Sequence, residues 1–430
     1  MKKQFRIEHL GRSFKERLGL WSGEKNNVAT PAVWITSQGG AIPNLTPETI
    51  QYLTTNAQFA GILVPFQYHT RDVEVLEKFK KGIDVFMGLP PNQWNILVVP
   101  QDPGIENRQG YHTNKDISLW DCTGNRVPVD FNLYNRGVHA MRPDAYVSLC
   151  DGETPKNCPK KRIAKATAKS LKFLDQHLAH TCEISDNDDA PKLCEVKESF
   201  IFGAIEGGYD IETRKYSAKE LSERPVDGFF LDGFNLTTEE SINLDYDKNL
   251  KEVINDSVIP ILPEDKIRVY LGICTPSTIL KLVEAGVDMF DSSYARYATD
   301  QGKALVFTNT LGSATKNSNA ILNESLITKT NDHSAEKHSE SNAPCSNNSD
   351  LIDLNDGRFK NDFRPILSTC LCYTCRKHTR AYINHLLITK EMLGQVLLTI
   401  HNLHHYATFF ETIRQSIRND TYQELKNLFV

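Results

Sequence analysis

Three of the ten cysteines fall within six residues, Cys370-Leu371-Cys372-Tyr373-Thr374-Cys375, and a histidine, His401, lies on the next long helical segment. Thiolates are soft ligands, and zinc takes sulfur and imidazole nitrogen in a closed tetrahedron when its role is structural. A Cys-x-Cys-x-x-Cys knuckle offers three thiolates from one tight loop. The stretch between Cys375 and His401 reads as helix, so the chain can swing His401 back as the fourth ligand. Cysteines this close along a chain rarely pair with one another, which sets the metal reading above a disulfide or three unrelated buried thiols. The expected site is one Zn2+ held by Cys370, Cys372, Cys375 and His401.

Carboxylates gather at the ends of apolar runs. Residues 145–150 lead into Asp151-Gly152-Glu153, residues 201–205 into Glu206-Gly207-Gly208, residues 228–231 into Asp232-Gly233, and residues 286–290 into Asp291. Residues 269–273 run into Thr275-Pro276, a helix start. Earlier runs are residues 29–36, 61–65 and 95–100, with Thr46-Pro47 reading as another helix start. Runs this continuously apolar suit parallel strands buried on both faces. Helical segments between them, such as Lys160 to His180, complete a strand–turn–helix repeat. This predicts an α/β fold, a (β/α)8 TIM barrel over residues 1–311, with a doubly wound sheet as the alternative. The barrel is favoured because acids and glycines recur at the C-terminal strand ends, the face on which barrel sites are built.

Residues 312–349 are rich in Ser, Asn, Thr and Lys and hold few large aliphatics. Such a segment cannot bury enough apolar surface to offset its ordering entropy, and it is expected to be a disordered insertion. Residues 350–430 are expected to form the zinc-binding subdomain and closing helices. The last long helix, from Glu391 to about Ile417, carries an apolar stripe whose aromatics Tyr406, Phe409 and Phe410 suit a partner interface, with packing on the barrel and the zinc knuckle as the alternative, and a wide stripe can serve both.

The net charge is −5, so no global field advertises a polyanionic partner, and any nucleic-acid contact must use a local patch. Near the knuckle that patch is sought at Arg364, Arg376, Lys377, Arg380 and Lys390. The absence of any apolar run of about 18 residues argues against a membrane span. The basic N-terminus carries Glu8 and Glu16 and lacks an apolar segment, so a secretory signal is not expected. Clustered cysteines without a disulfide framework suit a reducing compartment.

With Arg380-Ala381-Tyr382-Ile383 and Leu398-Thr399-Ile400-His401-Asn402-Leu403 downstream, the knuckle resembles the zinc subdomain of tRNA-guanine transglycosylases. Further matches are Thr30-Pro31-Ala32, Phe202-Gly203-Ala204-Ile205-Glu206-Gly207-Gly208, Ser217-Ala218, Leu271-Gly272-Ile273-Cys274-Thr275-Pro276, Gly286-Val287-Asp288-Met289-Phe290-Asp291 and Arg358-Phe359-x-x-Asp362-Phe363-Arg364-Pro365. The resemblance implies a TIM barrel with an inserted zinc subdomain. It also implies exchange of an anticodon guanine for a modified base, through a carboxylate that attacks C1′ of the ribose. Asp291 stands at the nucleophile's position; a strand-end capping role is the alternative.

The site departs from the family pattern. The Asp-Ser-Gly-Gly-Phe-Gln motif is missing, and only Asp102, before Pro103, lies near its place; a turn role suits it better. Asp-Glu-Cys-Thr-Pro becomes Asp151-Gly152-Glu153-Thr154-Pro155. Gln-Gly-Gly becomes Glu206-Gly207-Gly208, and an ionised Glu206 can only accept hydrogen bonds. Gly-Gly-Leu becomes Leu231-Asp232-Gly233-Phe234, where Asp232 adds bulk and charge. The arginines after the nucleophile fall on Tyr297 and Asp300, with Arg296 as a substitute one residue away. Fold motifs kept and site motifs eroded imply a non-catalytic subunit in a heterodimer with a catalytic paralogue. It would support exchange of guanine for queuine at the wobble position of tRNAs with GU(N) anticodons, with Asp291 vestigial and one zinc per subunit. An active transglycosylase using Asp291 is the alternative. The resemblance further implies cytoplasmic location with peripheral association at the mitochondrial outer membrane.

Overall fold

The computed structural model describes the chain except for residues 1–3, 13–14, 24, 55–57, 91, 107–109, 111–112, 187–198, 235, 308–349 and 430. The expected insertion at 312–349 therefore lies outside the described residues. Eight parallel strands close into a barrel: β4 (Ala32–Thr36), β5 (Gly61–Pro65), β6 (Ile96–Val99), β9 (Ala145–Val147), β10 (Phe200–Ile205), β11 (Gly228–Leu231), β12 (Ile267–Val269) and β13 (Met289–Asp291). They are neighbours in chain order, and β13 pairs with β4 to shut the ring, Phe290 opposite Val33 and Asp291 opposite Trp34. Each corresponds to one of the apolar runs in the sequence. Two are displaced: β12 sits two residues earlier than residues 269–273 suggest, and residues 29–36 divide at Pro31, which has no N–H for a ladder.

Strand periodicity separates two cores. Ala32, Trp34, Leu63, Leu97, Val99, Phe202, Phe230, Val269 and Met289 point into the barrel. Their neighbours Val33, Ile62, Ile96, Val98, Phe229 and Phe290 point outward to the surrounding helices. Such double burial is why the runs read as uninterrupted hydrophobic sequence.

An antiparallel sheet of β1 (Gln4–Leu10), β2 (Arg17–Ser22) and β3 (Asn27–Thr30) covers the N-terminal end of the barrel. Phe5, Trp21 and Val28 enter the inner core, where Trp21 meets Trp34 with ring centroids 5.5 Å apart and Phe200 at 5.3 Å. Arg17 ties the sheet down. Its Nε donates to Asp288 Oδ1 at 2.8 Å and its Nη1 to the Glu264 carbonyl at 2.6 Å. A hairpin of β7 (Asp116–Trp120) and β8 (Arg126–Asp130) lies between β6 and β9.

After β13 the chain enters β14 (Lys303–Leu305), which pairs antiparallel with β15 (Leu351–Asp353). These strands bracket the undescribed segment, with Leu305 opposite Leu351. The helix Met392–Arg418 serves both parts of the molecule. Leu397 and Leu398 pack into the small core around the cysteines, with Val306, Leu354 and Ile383. From Ile400 onward it packs on the barrel's closing seam. Phe410 meets Phe290 at 5.5 Å, and Arg414 donates to the Pro31 carbonyl at 2.7 Å.

Candidate functional site

The structure brings Cys370, Cys372, Cys375 and His401 together, all buried, with their ligand atoms within 4.8 Å of one another. His401 Nδ1 lies 3.3 Å from Cys375 Sγ, 3.6 Å from Cys372 Sγ and 3.8 Å from Cys370 Sγ. A tetrahedral ion bound by sulfur and nitrogen at ordinary zinc distances has a sulfur–nitrogen edge of about 3.6 Å, so the donor set fits a metal. Cys372 caps the short helix Tyr373–Lys377, its sulfur accepting from the Cys375 backbone N–H at 3.3 Å. Thr374 Oγ1 donates to the Leu397 carbonyl at 2.7 Å and docks this helix on the long one.

His401 is oriented from behind. Its Nε2 is 2.9 Å from the Leu305 carbonyl on β14, which takes the Nε2–H and leaves the Nδ1 lone pair facing the sulfurs. Burial opposes a charge on this imidazole, but contact with the Cys372 and Cys375 sulfurs outweighs it and pushes His401 up to about 10. A divalent cation among these atoms would take that proton's place. A fifth residue escaped the sequence reading: His404 Nδ1 is 3.8 Å from Cys370 Sγ. Its signal was the spacing of three from His401, which puts both imidazoles on one helix face.

At the C-terminal end of β13, Asp291 is 1% exposed and fully occupied. Its Oδ1 accepts from the Gly272 N–H at 2.7 Å. Its Oδ2 accepts from Thr36 Oγ1 at 3.0 Å, from the Ser293 N–H at 3.2 Å, and from the Ser293 hydroxyl. Burial, against those donors, pushes its carboxyl up to about 6. Asp102 is equally committed. Its Oδ1 accepts from the Gly104 N–H at 2.9 Å, the turn role expected of it, and its Oδ2 takes Tyr68 Oη and Arg296 Nη1, each at 2.8 Å. Arg296 therefore points inward and is unavailable as a surface tRNA contact.

Asp151 is held between Arg162 and Lys169, each at 2.5 Å. Burial works against its ionisation, but the two cations prevail and keep its carboxyl below the ordinary value. Glu206 is completely buried, and burial with Asp232 beside it pushes its carboxyl well above the usual range. Asp232 also accepts from Cys150 Sγ at 3.4 Å and fills the space beside Gly152, where an added Cβ would meet its Oδ2 at 2.5 Å. One cavity at the mouth, lined by Asp102, Cys150, Asp232, Tyr270 and Gly272, is about 100 Å³, and a shallower one beside it, lined by Glu153, Arg162, Tyr209 and Phe234, is about 750 Å³. The first, which Asp102 and Asp232 line, is well below the several hundred Å³ of ordinary ligand pockets.

Tyr406, Phe409 and Phe410 are buried in the chain's own core, and the large apolar side chains that the long helix leaves exposed are Met392 and Leu393 in its first turn. Of the cations near the knuckle, Arg364 and Arg380 both bind Asp362, at 2.8 Å and 3.1 Å.

The family model described as queuine tRNA-ribosyltransferase matches residues 13–430. Relatives described as queuine tRNA-ribosyltransferase accessory subunit 2 align over most of the chain. The Ixodes scapularis protein is 34% identical over 398 residues, covering 93% of this chain and 91% of the tick protein. The Danio rerio protein is 34% identical over 412 residues, covering 95% and 94%. The Homo sapiens protein is 32% identical over 414 residues, covering 93% and 91%.

Proposed function

The chain belongs to the queuine tRNA-ribosyltransferase family, and from that premise we propose that it is the non-catalytic accessory subunit of the heterodimeric enzyme. One observation carries the reading: Asp291, Asp102 and Asp151, the carboxylates that an exchange reaction would call on, are already engaged inside the protein. A nucleophile needs a free lone pair aimed at the reacting carbon. Asp291 spends its oxygens on Thr36, Gly272 and Ser293. Asp102 spends its own on Arg296, Tyr68 and Gly104. The similarity to relatives named as accessory subunits supports the same reading.

The metal is zinc, which the three-sulfur, one-imidazole donor set favours. It holds shape and lies apart from the barrel mouth. The partner is the catalytic paralogue. Six large apolar side chains between residues 363 and 393 are exposed, Phe363, Leu371, Tyr382, Ile388, Met392 and Leu393, and these offer the contact. Together the subunits act on the wobble position of tRNAs with GU(N) anticodons. The described cysteines are all unpaired thiols, which suits the cytoplasm. No described helix is long and apolar enough to cross a membrane. Association with the mitochondrial outer membrane, implied by the family resemblance, would then be peripheral.

The test is base exchange with labelled guanine and tRNA. The purified chain alone should incorporate nothing, and incorporation should follow addition of the catalytic paralogue. Exchange by the chain alone that disappears in Asp291→Ala would overturn the reading in favour of an active transglycosylase.

A further inference from the structure

The helix Lys160–Asp186 begins beside Asp151 at the barrel mouth and opens with charges of the wrong sign. From Lys156 to Lys172 there are seven cations, Lys156, Lys160, Lys161, Arg162, Lys165, Lys169 and Lys172, and no acid, in a chain whose net charge is −5. The first helical turn holds no acidic residue. Backbone N–H groups make this end of a helix positive, and cations there cost stability where acids would add it. Sequences violate a local rule of this kind chiefly where function compensates.

The helix divides its cations between two faces. Arg162 and Lys169 turn inward onto Asp151, and Lys160 reaches Asp210 at 3.0 Å. Lys161, Lys165 and Lys172 are exposed and have no acid in contact among the described residues. At 100° per residue these three fall within an arc of about 40° and form a line about 16 Å long. A rigid row of three unneutralised cations is the complement of a regularly charged polyanion. An anionic bilayer fits less well, because surface-bound helices also bury large apolar side chains. None of the exposed large apolar residues lies in this segment, where the line is interrupted only by alanines such as Ala164 and Ala168.

We propose that Lys161, Lys165 and Lys172 form a contact for the phosphate backbone of RNA, reading charge and not base sequence. The inference rests on the accessory-subunit reading and gives that subunit a defined grip on the tRNA. Each backbone contact releases counterions, so affinity should fall steeply with salt.

The experiment compares the full chain with the triple variant Lys161→Ala/Lys165→Ala/Lys172→Ala, alone and with the catalytic paralogue. The probes are an unmodified tRNA transcript and vesicles of phosphatidylcholine and phosphatidylserine in equal parts. The variant should bind tRNA at least tenfold more weakly at moderate salt, and the slope of log affinity against log salt should shrink by about 2 to 3. Its melting temperature should hold or rise, because cations leave the positive end of the helix. An unchanged salt slope overturns the proposal. So does loss of vesicle binding with tRNA binding intact, which would assign the row to a membrane. If the wild-type chain grips tRNA in the predicted way but never joins the paralogue, the accessory-subunit reading fails and the RNA contact stands.

Discussion

Asp291 keeps the position of a nucleophile and has acquired the surroundings of a structural acid. With its carboxyl near 6 in the fold, against an ordinary value of 3.8, the folded protein favours the protonated form. Below about pH 4 the group is protonated in both folded and unfolded chains and makes no difference. As pH rises from about 4 to 6 the unfolded chain ionises while the folded chain holds its proton, so this residue comes to cost stability, up to about 3 kcal/mol above pH 6. Asp291→Asn should therefore gain on the wild type between pH 4 and pH 7. Urea denaturation of both proteins at each pH would read the difference, and a parallel pH dependence would contradict the assignment. The metal ligands carry an opposite expectation. Cys372→Ala should lose bound metal, measured by elemental analysis, and several kilocalories of stability, because binding and folding are coupled. A variant that stays folded without metal would show that the cluster does not hold the subdomain together.

At the level of elements, the helix Met392–Arg418 joins metal centre to barrel through one buried asparagine. Asn402 Oδ1 accepts from the Leu305 N–H at 2.8 Å, and its Nδ2 donates to Thr299 Oγ1 and the Lys303 carbonyl, both at 2.9 Å. Asn402→Ala would strand buried backbone groups on β14 and should cost about 2–4 kcal/mol, seen in chemical denaturation. It should also weaken metal retention, since β14 supplies the carbonyl that orients His401. The barrel strands were legible in the sequence because burial on both faces writes itself as unbroken apolar runs. The cysteine site was legible because three ligands are local and the fourth follows on a periodic helix. The hairpin of β7 and β8 was not, since Pro128 and charged residues break its pattern. Nor was the engagement of Asp291 and Asp102. Their partners Thr36 and Arg296 stand 255 and 194 residues away in the chain, and only closure of the ring brings them together. The complete burial of Glu206 was hidden for the same reason: identity is visible in sequence, and burial is not.

For the molecule as a whole, two clamps join segments distant in sequence. Arg17 and Asp288 fasten the N-terminal sheet to the barrel in a buried ion pair, and breaking one side of such a pair costs more than the pair itself contributes. Arg17→Met should destabilise by about 3–5 kcal/mol by calorimetry, whereas Arg17→Met with Asp288→Leu should recover part of that loss. The second clamp is the pairing of β14 with β15, where the Val306 N–H meets the Asp350 carbonyl at 2.7 Å. Because those ends are already neighbours, replacing residues 308–349 by a short glycine–serine turn should leave the melting temperature nearly unchanged. The same pairing means that covalent continuity there is dispensable. A protease site engineered between 308 and 349 would yield two polypeptides that elute together from a sizing column. One half would carry the barrel and the Leu305 carbonyl, and the other the cysteines, His401 and the seam-covering helix. Chelation would loosen them, so a nicked protein offers a way to weigh the metal as an adhesive between two chains.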